Sequence, residues 1–199
     1  MADQSTVRYN IHMLYVIGGA SRSGKTLLSR RVVAEKQIPY FPLDALFGAL
    51  AHGAPELGVR YESSLMDRPV KMWPLVKHLL NTFLKEEREY LVEGDSILPS
   101  QINEFIVEQK PVKCCFLGYT DLTKDEKLSL IRQYHQGEID WTKNISDKEM
   151  LIMIDEMIEF SKYLEQECAK YSIKYFDVSH DFESVRNEAF EYLFAQELA

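Results

Sequence analysis

Eight consecutive residues near the start of the chain combine the residue types that bind phosphate. Gly19-Ala20-Ser21-Arg22-Ser23-Gly24-Lys25-Thr26 matches the P-loop pattern G-x-x-x-x-G-K-[ST] at every required position. Glycine at both ends of the pattern leaves the backbone free to turn successive N–H groups toward phosphate oxygens. Lys25 supplies a cation for the β- and γ-phosphates, and Thr26 supplies a hydroxyl for Mg²⁺. The pattern therefore predicts a binding site for a nucleoside triphosphate.

The stretches on either side of this loop are those that such a site requires. Met13–Ile17 is an apolar run suited to a buried strand, and residues 27–35 are typical of a helix. In the order strand, loop, helix, the positive N-terminal end of the helix faces the bound anion. We therefore count Leu27, where the helix opens, among the nucleotide-binding residues. The alternative is a chance glycine-rich turn beside a lysine, which the complete motif and its setting disfavour.

The rest of the chain alternates apolar runs with amphipathic stretches. This alternation predicts an α/β fold in which helices cover both faces of a parallel sheet. We expect further strands at residues 37–43, 89–93, 111–117 and 173–178. We expect helices over residues 45–50, 69–89, 99–107, 123–135, 147–171 and 182–196, with Asp44 as the candidate cap of the first of these. Pro74 is placed in a first helical turn, and Thr123 with Glu126 is interpreted as a capping box.

Composition and charge argue against several classes of protein. With 199 residues, 46% hydrophobic and 27% charged, the chain fits a single globular domain covering residues 1–199. A net charge of −8 argues against broad nucleic-acid binding. Cys114, Cys115 and Cys168 lack metal-ligand spacing, so we interpret them as reduced thiols of the core. Neither a secretory signal nor a membrane-crossing apolar run is apparent, so we expect a cytoplasmic protein, a monomer or a homodimer.

Carboxylates follow two of the predicted strands. Asp44 follows the second strand, and Glu93 and Asp95 end the third. In a parallel sheet the ligand crevice lies beyond the carboxyl ends of the strands. Because hard oxygen ligands suit Mg²⁺, we predict that Glu93 or Asp95 holds the ion together with Thr26. A plain turn is the alternative for Glu93 and Asp95, and a helix cap is the alternative for Asp44.

The whole chain resembles the small P-loop kinases, which include nucleoside monophosphate kinases such as adenylate kinase, shikimate kinase, gluconate kinase and chloramphenicol phosphotransferase. The similarity is specific at GGASRSGKT, moderate at IPYFPLDAL and YLVEGDSILP, and architectural elsewhere. EGDSILP also resembles a segment of 2-phosphoglycerate kinase. The resemblance implies a five-stranded sheet of order 2-3-1-4-5, an acceptor-binding segment at residues 44–70 and a lid at 119–146. It also implies that Asp44 lies near the metal and the acceptor hydroxyl, and that Glu93 and Asp95 form the second acidic motif.

Arginines are expected where phosphoryl transfer gathers negative charge. Arg22 lies within the loop itself, and Arg132 lies on the helix that enters the lid. We take Arg132 as the candidate closing arginine, with Lys143 next. Arg60 and Arg68 lie in the acceptor segment, where a guanidinium fork suits phosphate or carboxylate. Solvated surface is the alternative for each of these cations.

The favoured hypothesis is an ATP- and Mg²⁺-dependent kinase of a small molecule, such as a nucleotide or a sugar acid, with Lys25, Asp44 and Arg132 in catalytic roles. The lid has neither the arginine-rich motif of adenylate kinases nor a four-cysteine zinc site, which argues against a nucleoside monophosphate acceptor. Two alternatives stay open: a nucleotide-binding regulatory module and an oligomeric ATPase. The N-K-x-D motif of GTPase switches is missing from the sequence.

Overall fold

Five parallel strands in the order β2-β3-β1-β4-β5 form the centre of the molecule. The computed structural model describes residues 12–134 and 140–195. The strands are β1 (Leu14–Gly19), β2 (Tyr40–Pro42), β3 (Tyr90–Glu93), β4 (Val112–Gly118) and β5 (Lys174–Asp177). The helices are α1 (Lys25–Lys36), α2 (Leu43–Gly53), α3 (Asp67–Phe83), α4 (Pro99–Val107), α5 (Lys124–Gln133), α6 (Asp147–Lys170) and α7 (Phe182–Phe194), with a 3₁₀ turn at Pro55–Leu57.

The central strand β1 sets the position of the site. All six of its residues are buried, because α1 and α7 pack on one face of the sheet and α4 and α6 on the other. Ile17 of β1 lies opposite Glu93 of β3, and Glu93 in turn lies opposite Pro42 of β2. The loop after β1, the start of α2 and the residues after β3 therefore emerge at the same edge of the sheet. The α/β fold class and the five strands predicted from the sequence are confirmed, and so is the strand order that the resemblance implied.

Two further local predictions are confirmed. Thr123 caps α5 by accepting a hydrogen bond from the backbone N–H of Glu126, whose carboxylate accepts one from the N–H of Thr123. The three cysteines are buried and free. Burial raises the pKa of the Cys114 thiol to about 12, which keeps it protonated at neutral pH.

The start of α2 differs from the prediction, because β2 is shorter than expected. Pro42 ends β2 and stands at the N-cap position of α2, where it makes no side-chain capping bond. Asp44 lies one residue inside the helix, in its first turn. The alternative in which Asp44 acts only as a helix cap is therefore wrong, and its carboxylate is directed elsewhere.

The helix α3 also differs from its predicted bounds. It begins at Asp67, since the carbonyl of Ser64 accepts hydrogen bonds from the N–H groups of Asp67 and Arg68 and starts the turn early. Pro74 is consequently the eighth residue of α3, and its placement in the first turn was wrong. Met72, Val76 and Leu80 of α3 are fully buried, whereas Leu75 is 40% exposed. Within the described ranges, no helix is long and apolar enough to cross a membrane.

Candidate active site

The loop between β1 and α1 has a backbone that only certain residues can adopt. Gly19 has φ +137°, and a Cβ there would collide with the backbone of Leu117 on β4. Gly24 has φ +90°, and a Cβ there would lie 2.5 Å from the Phe182 ring. Arg22 lies in the left-handed region at φ 62° although it carries a side chain. The first and last glycines of the motif are therefore required by close packing as well as by conformation.

The inner surface of this loop suits an anion. In α1, all of which is described, the first turn contains no acidic side chain and Gly24 provides no side-chain cap, so the helical N–H groups stay available. The ammonium of Lys25 is buried and donates to the carbonyl oxygen of Ala20 at 2.7 Å. The buried hydroxyl of Ser23 has no hydrogen-bond partner among the described residues. Phosphate oxygens would satisfy these donors.

The predicted carboxylates are brought to the same cavity as the loop. Asp44, Glu93 and Asp95 reach it from the first turn of α2 and from the end of β3. The cavity has a volume of about 180 Å³. Its lining consists of Ser21, Arg22, Gly24, Lys25, Thr26, Asp44, Glu93, Asp95, Asp140 and Trp141. Phosphate-binding groups and acidic groups therefore face one small space.

The acidic groups crowd one another, and neighbouring hydroxyls orient two of them. Asp44 is exposed at the cavity mouth, yet desolvation by the surrounding atoms, followed by the charges of Asp95 and Glu93, raises its pKa to about 6 against the opposing effects of Lys25 and Arg68. The hydroxyl of Tyr40 donates to Glu93 at 2.6 Å, and the Ser21 hydroxyl donates to Asp95 at 2.6 Å. Hydrogen bonds thus orient Glu93 and Asp95, and the repulsion among the three carboxylates is seen in the raised pKa of Asp44.

The donor set fits magnesium completed by a bound phosphate. Among the described residues, no group of three His, Cys, Asp or Glu side chains could hold a metal ion. Mg²⁺, however, is usually held by one or two carboxylates together with substrate phosphates and several waters. Thr26, Glu93 and Asp95 provide such a partial set. A divalent cation would also relieve the crowding that raises the pKa of Asp44.

A second, larger cavity adjoins the first. Its volume is about 620 Å³, and it shares Arg22 and Gly24 with the carboxylate cavity. Apolar side chains supply much of its wall, namely Leu27, Leu122, Leu130, Ile131, Val178 and Phe182. An apolar cleft with a few polar groups suits a flat aromatic group joined to the anion in the first cavity.

Arg132 does not line either cavity. Its guanidinium donates to the carbonyl oxygens of Thr142 at 2.8 Å and Ile145 at 2.7 Å, and it pairs with Asp147 at 2.8 Å. These bonds connect Arg132 to residues 142–147, at the end of the predicted lid. Within the described residues, the guanidinium of Arg132 contacts the lid backbone and not the cavity. The predicted catalytic contact is therefore absent from the part of the chain that the structure describes. The exposed Lys143 lines neither cavity.

The two arginines of the predicted acceptor segment differ from each other. Arg68 is partly buried and close enough to Asp44 for its charge to lower the pKa of that carboxyl. Its guanidinium donates to the carbonyl oxygens of Tyr61 and Ser63 and lies over the Phe47 ring at 5.1 Å. Arg60 is exposed and does not line either cavity. Arg68 also lines neither cavity, so of these two arginines only Arg68 is linked to the predicted site, through its charge beside Asp44.

Several residues of the site escaped the sequence reasoning. Asp140 is buried and pairs with Arg22 at 3.0 Å, which joins the predicted lid to the P-loop. Lys127 of α5 is only 5% exposed and lines the larger cavity. A lysine in a charged helix gives no sign of burial by itself. The available signal was its spacing four residues before the apolar Ile131, which places both on one helix face. The predicted loop of residues 136–146 is described only from residue 140, and His135 lies outside the described residues.

No protein-family model matches the sequence, and a search of curated protein sequences gives no significant match. Solved structures do match. A gluconokinase from Sinorhizobium meliloti 1021 is 14% identical, with 92% of each chain covered and a TM-score of 0.56. A shikimate kinase from Bacteroides thetaiotaomicron is 17% identical, with 91% of this chain and 98% of that chain covered and a TM-score of 0.54. The chain has the fold of these small P-loop kinases.

Proposed function

From the small P-loop kinase fold as a premise, we propose that this protein transfers the γ-phosphoryl group of ATP to a small-molecule acceptor in the presence of Mg²⁺. The observation that carries the proposal is the shared cavity of Lys25, Thr26 and the three carboxylates Asp44, Glu93 and Asp95. A phosphate-binding loop alone is common to enzymes and regulatory modules. Here the loop shares its cavity with Asp44, a carboxylate of raised pKa that can take a proton from an acceptor hydroxyl.

The donor nucleotide occupies both cavities in this proposal. The backbone of residues 19–24 and the ammonium of Lys25 hold the β- and γ-phosphates, and the N-terminal end of α1 adds its positive dipole. The nucleoside lies in the larger cavity, with Leu27 among its apolar contacts. Arg22 lines both cavities, so its guanidinium is placed near the junction of phosphates and nucleoside.

Mg²⁺ has its ligands on the carboxylate side of the loop. Thr26 would hold the ion with Glu93 or Asp95, which Tyr40 and Ser21 orient by hydrogen bonds. When bound, the ion neutralises part of the charge on the phosphate oxygens. The hydroxyl donors to Glu93 and Asp95 restrict both carboxylates before any ion arrives, so less ordering accompanies binding.

The acceptor lies beside Asp44 and the segment of residues 44–70. Asp44 is ionised at pH 7, because its pKa is about 6, and its carboxylate accepts the proton of the attacking hydroxyl. Arg68 provides a positive charge next to Asp44, and the exposed Arg60 is the further candidate contact for an anionic acceptor. Arg132 orders the lid through its backbone contacts rather than by touching phosphate. Both structural neighbours are named as kinases of small molecules, which supports this class of acceptor.

A coupled ADP-release assay tests the proposal. Sugar acids, nucleosides, nucleotides and phosphorylated metabolites are offered with ATP and Mg²⁺, and we expect one acceptor to stimulate ADP formation. Lys25→Ala should lower the stimulated rate by about a hundredfold or more, as the loss of one transition-state donor does in other enzymes. Lys85→Ala is the matched control, because Lys85 is exposed and lines neither cavity. Hydrolysis that no acceptor stimulates would favour a regulatory module or an ATPase instead.

A further inference from the structure

Two side chains hold the P-loop from outside the carboxylate cavity. The hydroxyl of Tyr119, which follows β4, donates to the carbonyl oxygen of Ser21 at 2.7 Å. The ammonium of Lys127 donates to the carbonyl oxygen of Arg22 at 3.0 Å and lies 3.4 Å from the centre of the Tyr119 ring. Tyr119 is fully buried and Lys127 almost so. Two successive carbonyls of the loop are thus fastened by two side chains that contact each other.

Fastening a carbonyl also directs the N–H group that follows it. In a trans peptide unit the C=O of one residue and the N–H of the next point in opposite directions. Tyr119 and Lys127 therefore turn the N–H groups of Arg22 and Ser23 away from themselves. This matters because Arg22 adopts a left-handed conformation that a side chain disfavours, so the loop needs outside contacts to keep it.

The surroundings of Lys127 disfavour its charge when no nucleotide is bound. Burial, followed by the positive charges of Arg22 and Lys25, lowers the pKa of Lys127 to about 7. His180, which precedes α7, and Glu183 of α7 line the same larger cavity, and the ring of Tyr119, just after β4, faces the ammonium. Asp140 of the lid is paired with Arg22 and partly offsets that arginine's charge.

We propose that Lys127 is a positioning residue for the bound nucleotide and that it takes up a proton from solvent when nucleotide phosphates enter the P-loop. The inference rests on the proposed function, because it requires phosphates at this loop. The phosphates bring several negative charges close to an ammonium that already touches the loop, and these favour its charged form. Nucleotide affinity therefore falls as the pH rises above about 7, by up to about tenfold per pH unit.

The test is calorimetric titration of the full chain with ADP and Mg²⁺ between about pH 7 and 8.5, in two buffers of different ionisation enthalpy. This window lies above the pKa of about 6 of Asp44. The wild-type protein should take up a proton and lose affinity with rising pH. Lys127→Arg should bind without this slope, because a guanidinium stays charged. Lys127→Met should bind more weakly and without the slope.

Tyr119→Phe tests whether the proton uptake depends on Lys127 alone or also on the hydrogen bond that positions the loop. It removes the bond to Ser21 but keeps a ring under the ammonium, so affinity should fall while the pH slope remains. A wild-type affinity that is flat over the window would overturn the inference, as would a slope that survives in Lys127→Arg. If the wild-type protein binds no nucleotide at any pH, the proposed function fails, and that result is distinct from binding without a slope.

Discussion

The substitution Asp44→Asn should stabilise the protein while it removes the proposed reaction. Asn keeps the size and shape of the side chain but carries no charge. Asp44 has a pKa of about 6 in place of 3.8, and each pKa unit corresponds to about 1.4 kcal/mol. Because Asp44 is also exposed to solvent, which screens the neighbouring charges, the ionised carboxylate destabilises the folded state by less than the full shift implies, on the order of 1 kcal/mol. Loss of a general base should lower the acceptor-stimulated rate by about 10²- to 10⁴-fold.

The pH dependence of this stability difference gives the sharper test. Because folding raises the pKa of Asp44, its contribution to stability is fully present below about pH 3.8 and is lost as the pH rises through about 6. Urea unfolding at pH 4, 6 and 8 should show the Asn variant about as stable as the wild type at pH 4. At pH 8 the variant should be more stable by on the order of 1 kcal/mol, since solvent screens part of the repulsion at this exposed side chain. Glu87→Gln, which changes an exposed carboxylate outside both cavities, should show no such trend.

The result that would refute this reasoning is an Asn variant less stable than the wild type at pH 8. It would mean that attraction to Lys25 and Arg68 outweighs burial and the repulsion from Asp95 and Glu93, which is the opposite of the order inferred from the structure. A variant that is more stable yet fully active would leave the electrostatics intact but exclude Asp44 as the proton acceptor.

Three further substitutions test the parts that surround the cavity. Gly24→Ala places a Cβ against the Phe182 ring at φ +90°, so thermal unfolding should show a loss of stability of about 1–2 kcal/mol. Nucleotide titration should show a loss of affinity, and unchanged binding would contradict the packing argument. Arg132→Ala should speed hydrogen exchange in residues 140–147 and lower the turnover rate more than the nucleotide affinity. A loss of affinity as large as the loss of turnover would indicate direct phosphate contact. Pro74→Ala should raise the free energy of unfolding in urea by about 1 kcal/mol or more, because proline inside a helix lacks a hydrogen bond; a decrease would show that the ring packs favourably.

The parts of the site that the sequence predicted depend on local pattern or on the rules of parallel sheets. The P-loop is read from consecutive residues, and its neighbours β1 and α1 from short-range periodicity. Asp44, Glu93 and Asp95 are far apart in sequence, yet they share a cavity because parallel strands end at one edge. The capping box at Thr123 is likewise a local pattern with a direct physical cause.

The parts that sequence reasoning missed depend on packing between distant segments. Lys127 contacts Arg22 across 105 residues, and Asp140 pairs with Arg22 across 118. The local sequence does not distinguish Asp140 from a solvated charge, and for Lys127 it offers only the spacing to Ile131. Arg132 was chosen for its charge and its place before the lid, but nearby carbonyl groups occupy its guanidinium. The sequence shows that a side chain is cationic, but only the structure shows which groups it contacts.

Two of the four positions that the P-loop pattern leaves unspecified, Ser21 and Arg22, carry features particular to this chain. Ser21 donates to Asp95 through its hydroxyl and accepts from Tyr119 through its carbonyl. Arg22 pairs with Asp140 through its guanidinium and accepts from Lys127 through its carbonyl. The carboxylate cavity, β4, α5 and the lid segment therefore all meet at these two residues. If nucleotide phosphates bind this loop as proposed, they would lie beside the two residues that contact both the acidic cluster and the lid.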